Sequence, residues 1–118
     1  MPMDDRLAQL LDSYAQAQAH YTLARLEYAL HHPAKPAPPP VTCCVRSTVD
    51  AVREQWSRIE AQLDAALGYV VRMERERRRR RATDSRFRYI ADSLRELDRS
   101  SRAVRWALTI SESHYDLG

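Results

Sequence analysis

One spacing constrains this chain more than any other property. Val49, Val52, Trp56, Ile59, Leu63, Ala66, Val70 and Met73 recur alternately three and four residues apart, without a break. On a helix such positions form one apolar stripe, whereas a strand repeats every second residue. The stripe therefore requires a long helix that lies along another. A similar stripe runs through Phe87, Ile90, Leu94, Leu97, Ser101, Val104 and Leu108. A third comprises Leu7, Tyr14, Tyr21 and Tyr28, with Leu10, Ala17 and Ala24 interleaved. Only two glycines occur in 118 residues, too few for the turns of a sheet protein. The expected fold is all-α: a long antiparallel helical hairpin within a three-helix coiled-coil bundle, in an oligomer.

Proline sets the boundaries. Residues 1–32 read as an amphipathic N-terminal unit, with the helix itself over 4–32. "HHPAKPAPPPV" stops that helix, because proline lacks a backbone donor and biases the preceding residue toward extended conformations. Residues 33–45 are then expected to be a polyproline II spacer. Its P-x-x-P lacks a basic residue at the flanking distance that peptide-binding grooves use, which favours the plain spacer. Residues 46–118 form the hairpin, with Ser47 or Thr48 capping its first helix. Its two stripes differ in phase by three positions. One rod of roughly 100 Å with a frame change competes with a turn near Ala82–Ser85. Thr83, Asp84 and Ser85 are good N-cap residues, and both arms have similar length, which favours the turn.

Some apolar residues lie outside the stripes. Leu23, Leu26 and Leu30 make a second face on the first helix, and Trp106 and Ile110 stand off the stripe of the last one. They have two places to go: one another inside a bundle, or matching faces on a second chain. Together with Trp56 they are the candidate interface for a homodimer or higher oligomer, or for another protein.

Charge is concentrated in one segment. Residues 72–88 hold nine arginines and three acids, a net +6, against −1 in each of 1–45, 46–71 and 89–118. Glu74–Arg78 and Glu76–Arg80 have the i, i+4 spacing of helix-stabilising pairs. Arg72, Arg75, Arg77, Arg79, Arg81, Arg86 and Arg88 are left over as candidates for binding anions or nucleic acid through phosphate. Five consecutive arginines cover every azimuth of a helix, so no single face is expected to read a groove. An acidic protein partner, or an import receptor that reads the run as a basic signal, is a further functional reading, and the bland one is a solvated helix end in an arginine-biased sequence. Beside the run, Phe87 is expected in the core and Tyr89 off the stripe.

His31, His32, Cys43 and Cys44 are zinc-ligand types on either side of the prolines, but adjacent residues rarely both reach one tetrahedral ion. No metal or cofactor is expected. A glycine-rich phosphate loop, a paired Glu-x-x-His and a nucleophile beside a base are all missing, so no catalytic residue is assigned and the chain is not expected to be an enzyme. No apolar run approaches a membrane span, and the N-terminus is neither a signal nor a transit peptide. The expected setting is soluble and intracellular: cytoplasmic, or nuclear for a chain from a eukaryote or its virus. The expected function is oligomerisation and assembly (scaffold, adaptor or chaperone-like subunit), with nucleic-acid binding through residues 72–88 as the alternative.

Overall fold

The computed structural model describes residues 5–44, 47–81 and 84–117, with side chains of the last helix described through Ile110. Three helices account for most of it: α1 (Asp5–His31), α2 (Val49–Arg80) and α3 (Ser85–Leu117). Among the described residues there is no strand. The molecule measures 56 × 23 × 18 Å along its principal axes, close to the length of a single helix of about 32 residues.

Local chemistry explains each boundary. Thr48 caps α2, its hydroxyl accepting the Ala51 amide at 3.1 Å. Asp84 caps α3, with Oδ1 accepting the Arg86 amide at 3.0 Å. Between them the chain turns without glycine. Arg81 takes the left-handed conformation at φ 52°, and its amide closes α2 on the Arg77 and Arg78 carbonyls. That conformation costs a non-glycine residue roughly 1 to 2 kcal/mol. Ala82 and Thr83 lie outside the described residues.

The chain folds back as a hairpin, not a rod. Arg95 reaches Glu74 at 2.5 Å, and Arg105 lies 3.7 Å from Glu60. α2 and α3 are therefore antiparallel. α1 runs parallel to α2, since Tyr14 stacks edge-on against Trp56 at 5.0 Å and Arg77 donates to Tyr28 Oη at 3.3 Å.

The stripes are the core. Leu7, Tyr14, Tyr21 and Tyr28 of α1, Val52 to Val70 of α2, and Phe87 to Leu108 of α3 are buried in one cluster. Leu11, not Leu10, fills the first interleaved position of α1; Leu10 is only half-buried. The expected stripe put Leu10 there by strict 3–4 alternation, but a helix of 3.6 residues per turn tolerates either neighbour. α1 and α3 approach most closely. Small buried residues permit this: Ala17 and Ala24 on α1, and Ala91, Ser93 and Ser101 on α3.

The proline segment is not a plain spacer. It runs back along α1 toward α2, and a row of polar groups holds its carbonyls. Tyr14 Oη donates to Thr42 O (2.8 Å), Gln18 Nε2 to Val41 O (2.9 Å), Tyr21 Oη to Pro39 O (2.7 Å) and Arg25 Nε to Pro38 O (2.6 Å). From α2, Tyr69 Oη donates to Pro36 O, and Gln62 accepts the Thr42 amide at 2.7 Å. Pro38, Val41 and Cys44 are buried. The periods match. Three residues of polyproline II advance about 9.3 Å, and seven helical residues about 10.5 Å. Tyrosines seven apart thus meet carbonyls three apart, Tyr14 at Thr42 and Tyr21 at Pro39. Proline suits the strap because it supplies a carbonyl acceptor while bringing no amide donor that needs a partner.

Candidate functional site

Three surfaces carry groups that the fold leaves available or holds in unusual positions. The first is the bundle tip, where α1 ends, α2 ends and α3 begins. Tyr28, His32, Arg77, Asp84 and Phe87 converge there. His32 Nε2 lies 2.8 Å from Asp84 Oδ2, close enough for an ion pair though not aligned as a hydrogen bond. Arg77 NH2 lies 3.6 Å from the same oxygen, and its guanidinium sits 4.3 Å above the Phe87 ring. The Tyr28 and His32 rings stack at 4.5 Å. Burial disfavours the Asp84 carboxylate. The Arg86 amide, His32 and Arg77 outweigh that cost, holding its pKa below the usual aspartate value.

Arg77 is thus a structural group and not one of the free arginines. Position 77 continues the α2 stripe beyond Val70 and Met73, and its side chain is only 13% exposed. Its aliphatic stem lies inward and its charge has a partner. Glu74 also differs from expectation. It reaches across to Arg95 and not along the helix to Arg78, whereas Glu76 does pair with Arg80 at 2.9 Å.

The second surface is a groove beside this cluster, between the end of α2 and the start of α3, with a volume of about 1030 Å³. Arg78 from α2, Arg81 at its C-cap and Arg88 from α3 line it. All three are exposed, and none has a carboxylate partner among the described residues. Phe87 and Ala91 lie at its base, both buried. The acids on its wall are committed: Glu74 to Arg95, Asp84 to His32 and Arg77, and Asp92 to Arg95 at 4.0 Å. The hairpin therefore gathers arginines from two helices on one concave surface, although the run itself covers every azimuth. Arg72, Arg75, Arg79 and Arg86 are exposed outside the groove, and Tyr89 is 44% exposed.

The third surface is apolar. Leu23, Leu26 and Leu30 are 60%, 56% and 80% exposed on the side of α1 away from the core. Trp106 (65%) and Ile110 (44%) are exposed on α3. Within the chain these two patches do not meet. Leu30 is near the tip, whereas Trp106 lies toward the other end, level with the first half of α2. Trp56 does not belong with them: it is 3% exposed and packs inside the core.

The histidines and cysteines are separated by the strap. His32 stacks on Tyr28 at the tip, whereas Cys43 and Cys44 follow Thr42, which bonds Tyr14, about 21 Å from Tyr28 toward the start of α1. Neither cysteine is in a disulfide; Cys43 is exposed and Cys44 buried. Among the described residues no helix is long and apolar enough to cross a membrane. No protein-family model, characterised protein sequence or solved structure matches the chain.

Proposed function

We propose that this chain is a non-catalytic assembly module: a rigid helical bundle that pairs with a second copy of itself through α1 and so serves as a scaffold or adaptor subunit. One observation carries this reading. Leu23, Leu26 and Leu30 form an exposed apolar row on a helix whose opposite face is already fully buried. Water contact with such a row is unfavourable by about 25 cal/mol per Å² of apolar surface. An antiparallel copy of the same row offers a matching surface, since a twofold interface places one patch against itself. The strap supports the same reading. It ties α1 to α2, with four of its carbonyls bonded from α1 and its Pro36 carbonyl and Thr42 amide bonded to α2, so the leucine row is presented on a preorganised surface.

The test is molar mass by light scattering at micromolar and tens-of-micromolar concentrations, for wild type and for Leu26→Asp/Leu30→Asp. Wild type is expected to reach at least twice the monomer mass of 13.7 kDa. The variant is expected to be monomeric with unchanged helicity, because both side chains already face water. A wild-type monomer at tens of micromolar, or a variant that still dimerises, overturns the proposal.

A further inference from the structure

We propose that the arginine groove between α2 and α3 binds the sugar–phosphate backbone of a single-stranded nucleic acid, independently of the leucine row. The argument starts from what the fold leaves unpaired. At the tip, Asp84 neutralises Arg77, Glu76 neutralises Arg80 and Glu74 neutralises Arg95. Of the arginines left without a carboxylate, Arg78, Arg81 and Arg88 line the groove, together with Asp92, which lies 4.0 Å from Arg95. Three guanidinium forks on one groove, from the end of α2, its cap and the start of α3, make a site for several oxyanions in sequence. Each fork donates two parallel hydrogen bonds to one phosphate.

The spacing suits a chain of charges. Arg78 lies in the last turn of α2, Arg81 is the left-handed residue that closes that helix, and Arg88 lies in the first turn of α3. The α2 C-terminus repels anions, whereas the α3 N-terminus, with Ser85 on the wall, attracts them. The ligand is thereby drawn toward α3. Outside the groove, Arg72, Arg75, Arg79 and Arg86 add a positive field that steers a polyanion inward. Tyr89, next to Arg88 and 44% exposed, supplies a ring on which a base leaving the groove can stack.

A single strand fits better than a duplex. The bundle is 23 × 18 Å in cross-section, so a cleft between two of its helices is too narrow to admit a double helix. Nothing in the wall reads base edges, so the binding is expected to be indifferent to sequence. An acidic peptide is the competing ligand. The exposed Tyr89 ring favours the nucleic acid, because a base stacks on an aromatic ring and a glutamate side chain does not.

The experiment is fluorescence anisotropy of the full chain with a labelled 20-nucleotide single strand, a matched duplex and a polyglutamate peptide, at 50 and 200 mM salt. Three phosphate contacts on a single strand predict a salt slope near −2, so affinity falls about 18-fold over that range. Arg78→Gln/Arg81→Gln/Arg88→Gln is expected to weaken binding about tenfold or more at 50 mM salt and to flatten the salt dependence. The control Arg72→Gln/Arg75→Gln/Arg79→Gln removes the same charge outside the groove and is expected to weaken binding less than about threefold, through the lost field alone. Arginine-selective labelling read by mass spectrometry gives a second measurement on the unmutated protein, with Arg78, Arg81 and Arg88 protected by the strand and Arg72 not. Equal losses in the two triple variants, or protection that does not favour the groove, overturn the proposal. So do a duplex or polyglutamate bound as tightly as the single strand, and an absence of binding at 50 mM salt.

Discussion

Replacing Tyr21 by Phe tests the strap directly, because it deletes one oxygen and leaves the ring. Tyr21 is fully buried, and its hydroxyl donates to the Pro39 carbonyl at 2.7 Å. A hydrogen bond of this kind contributes about 0.5 to 1.5 kcal/mol net, and an acceptor left buried and unpaired costs about 1 to 3 kcal/mol. Pro39 is half-buried, so water recovers part of that loss. The expected destabilisation is about 1.5 kcal/mol. With a urea m-value near 2 kcal/mol/M, the midpoint falls by about 0.7 M. Tyr89→Phe, on an exposed ring, is the control and is expected to leave the midpoint unchanged. Alkaline pH adds a second readout. Burial pushes the Tyr21 hydroxyl up to about 12, against an ordinary value of 10.0, despite the opposing charge of Arg25. Between these values the unfolded chain releases a proton that the folded chain keeps, so stability falls as pH rises from 10 to 12. Two pH units correspond to on the order of 2 to 3 kcal/mol. Burial raises Tyr14 in the same direction, so Tyr21→Phe is expected to reduce the alkaline loss without abolishing it. A midpoint shift no larger than that of Tyr89→Phe, with an unchanged alkaline limb, would refute the claim that the tyrosines hold the strap.

The other expectations concern the tip and the α1–α3 contact. Asp84→Asn keeps an N-cap but strands the half-buried Arg77, and is expected to cost about 1 to 2 kcal/mol, with Asp84→Ala costing about 1 kcal/mol more. The folded pKa of Asp84 lies below its ordinary 3.8, so its contribution is present above about pH 4 and is lost as pH falls further. Thermal melts at pH 6 and pH 3 should therefore show a shallower acid loss in Asp84→Asn than in wild type, and an identical loss would contradict this account. Ala24→Leu overfills the close α1–α3 contact and is expected to cost about 1 to 3 kcal/mol, lowering Tm by about 5 to 15 °C. Ala19→Leu, on the exposed face, should leave Tm nearly unchanged, so similar shifts in both variants would argue against a close-packed contact there.

What was legible in the sequence is what local periodicity encodes. The α2 and α3 stripes coincide with the buried residues from Val52 to Val70 and from Phe87 to Leu108. A cap at Ser47 or Thr48 also followed from residue type, and Thr48 fills it. Helical period and capping depend on residues a few positions apart, so no knowledge of the partner element is needed. The turn was harder. Arg81 carries the positive φ that glycine usually takes, and only the pairing of Glu74 with Arg95 and of Glu60 with Arg105 decides for a hairpin over a rod.

The tertiary structure decided everything that joins distant parts of the chain. Seven-residue tyrosine spacing and a proline-rich segment are separate sequence facts. Their meaning as ladder and strap depends on the rise of α1 and the rise of the strap coming into register where the two lie side by side. Arg77 reads as one basic residue among nine, yet it is buried against Phe87 and tied to Asp84. The signal was present in its place on the continued α2 stripe, but its compensating charge lies across the turn. Trp56 lies on the α2 stripe and is buried with it, whereas only packing decides that the Leu23–Leu26–Leu30 row stays outside. Periodicity determines which residues share a face of a helix. Which face meets the core, and which charges are already neutralised, depends on contacts between residues far apart in the chain.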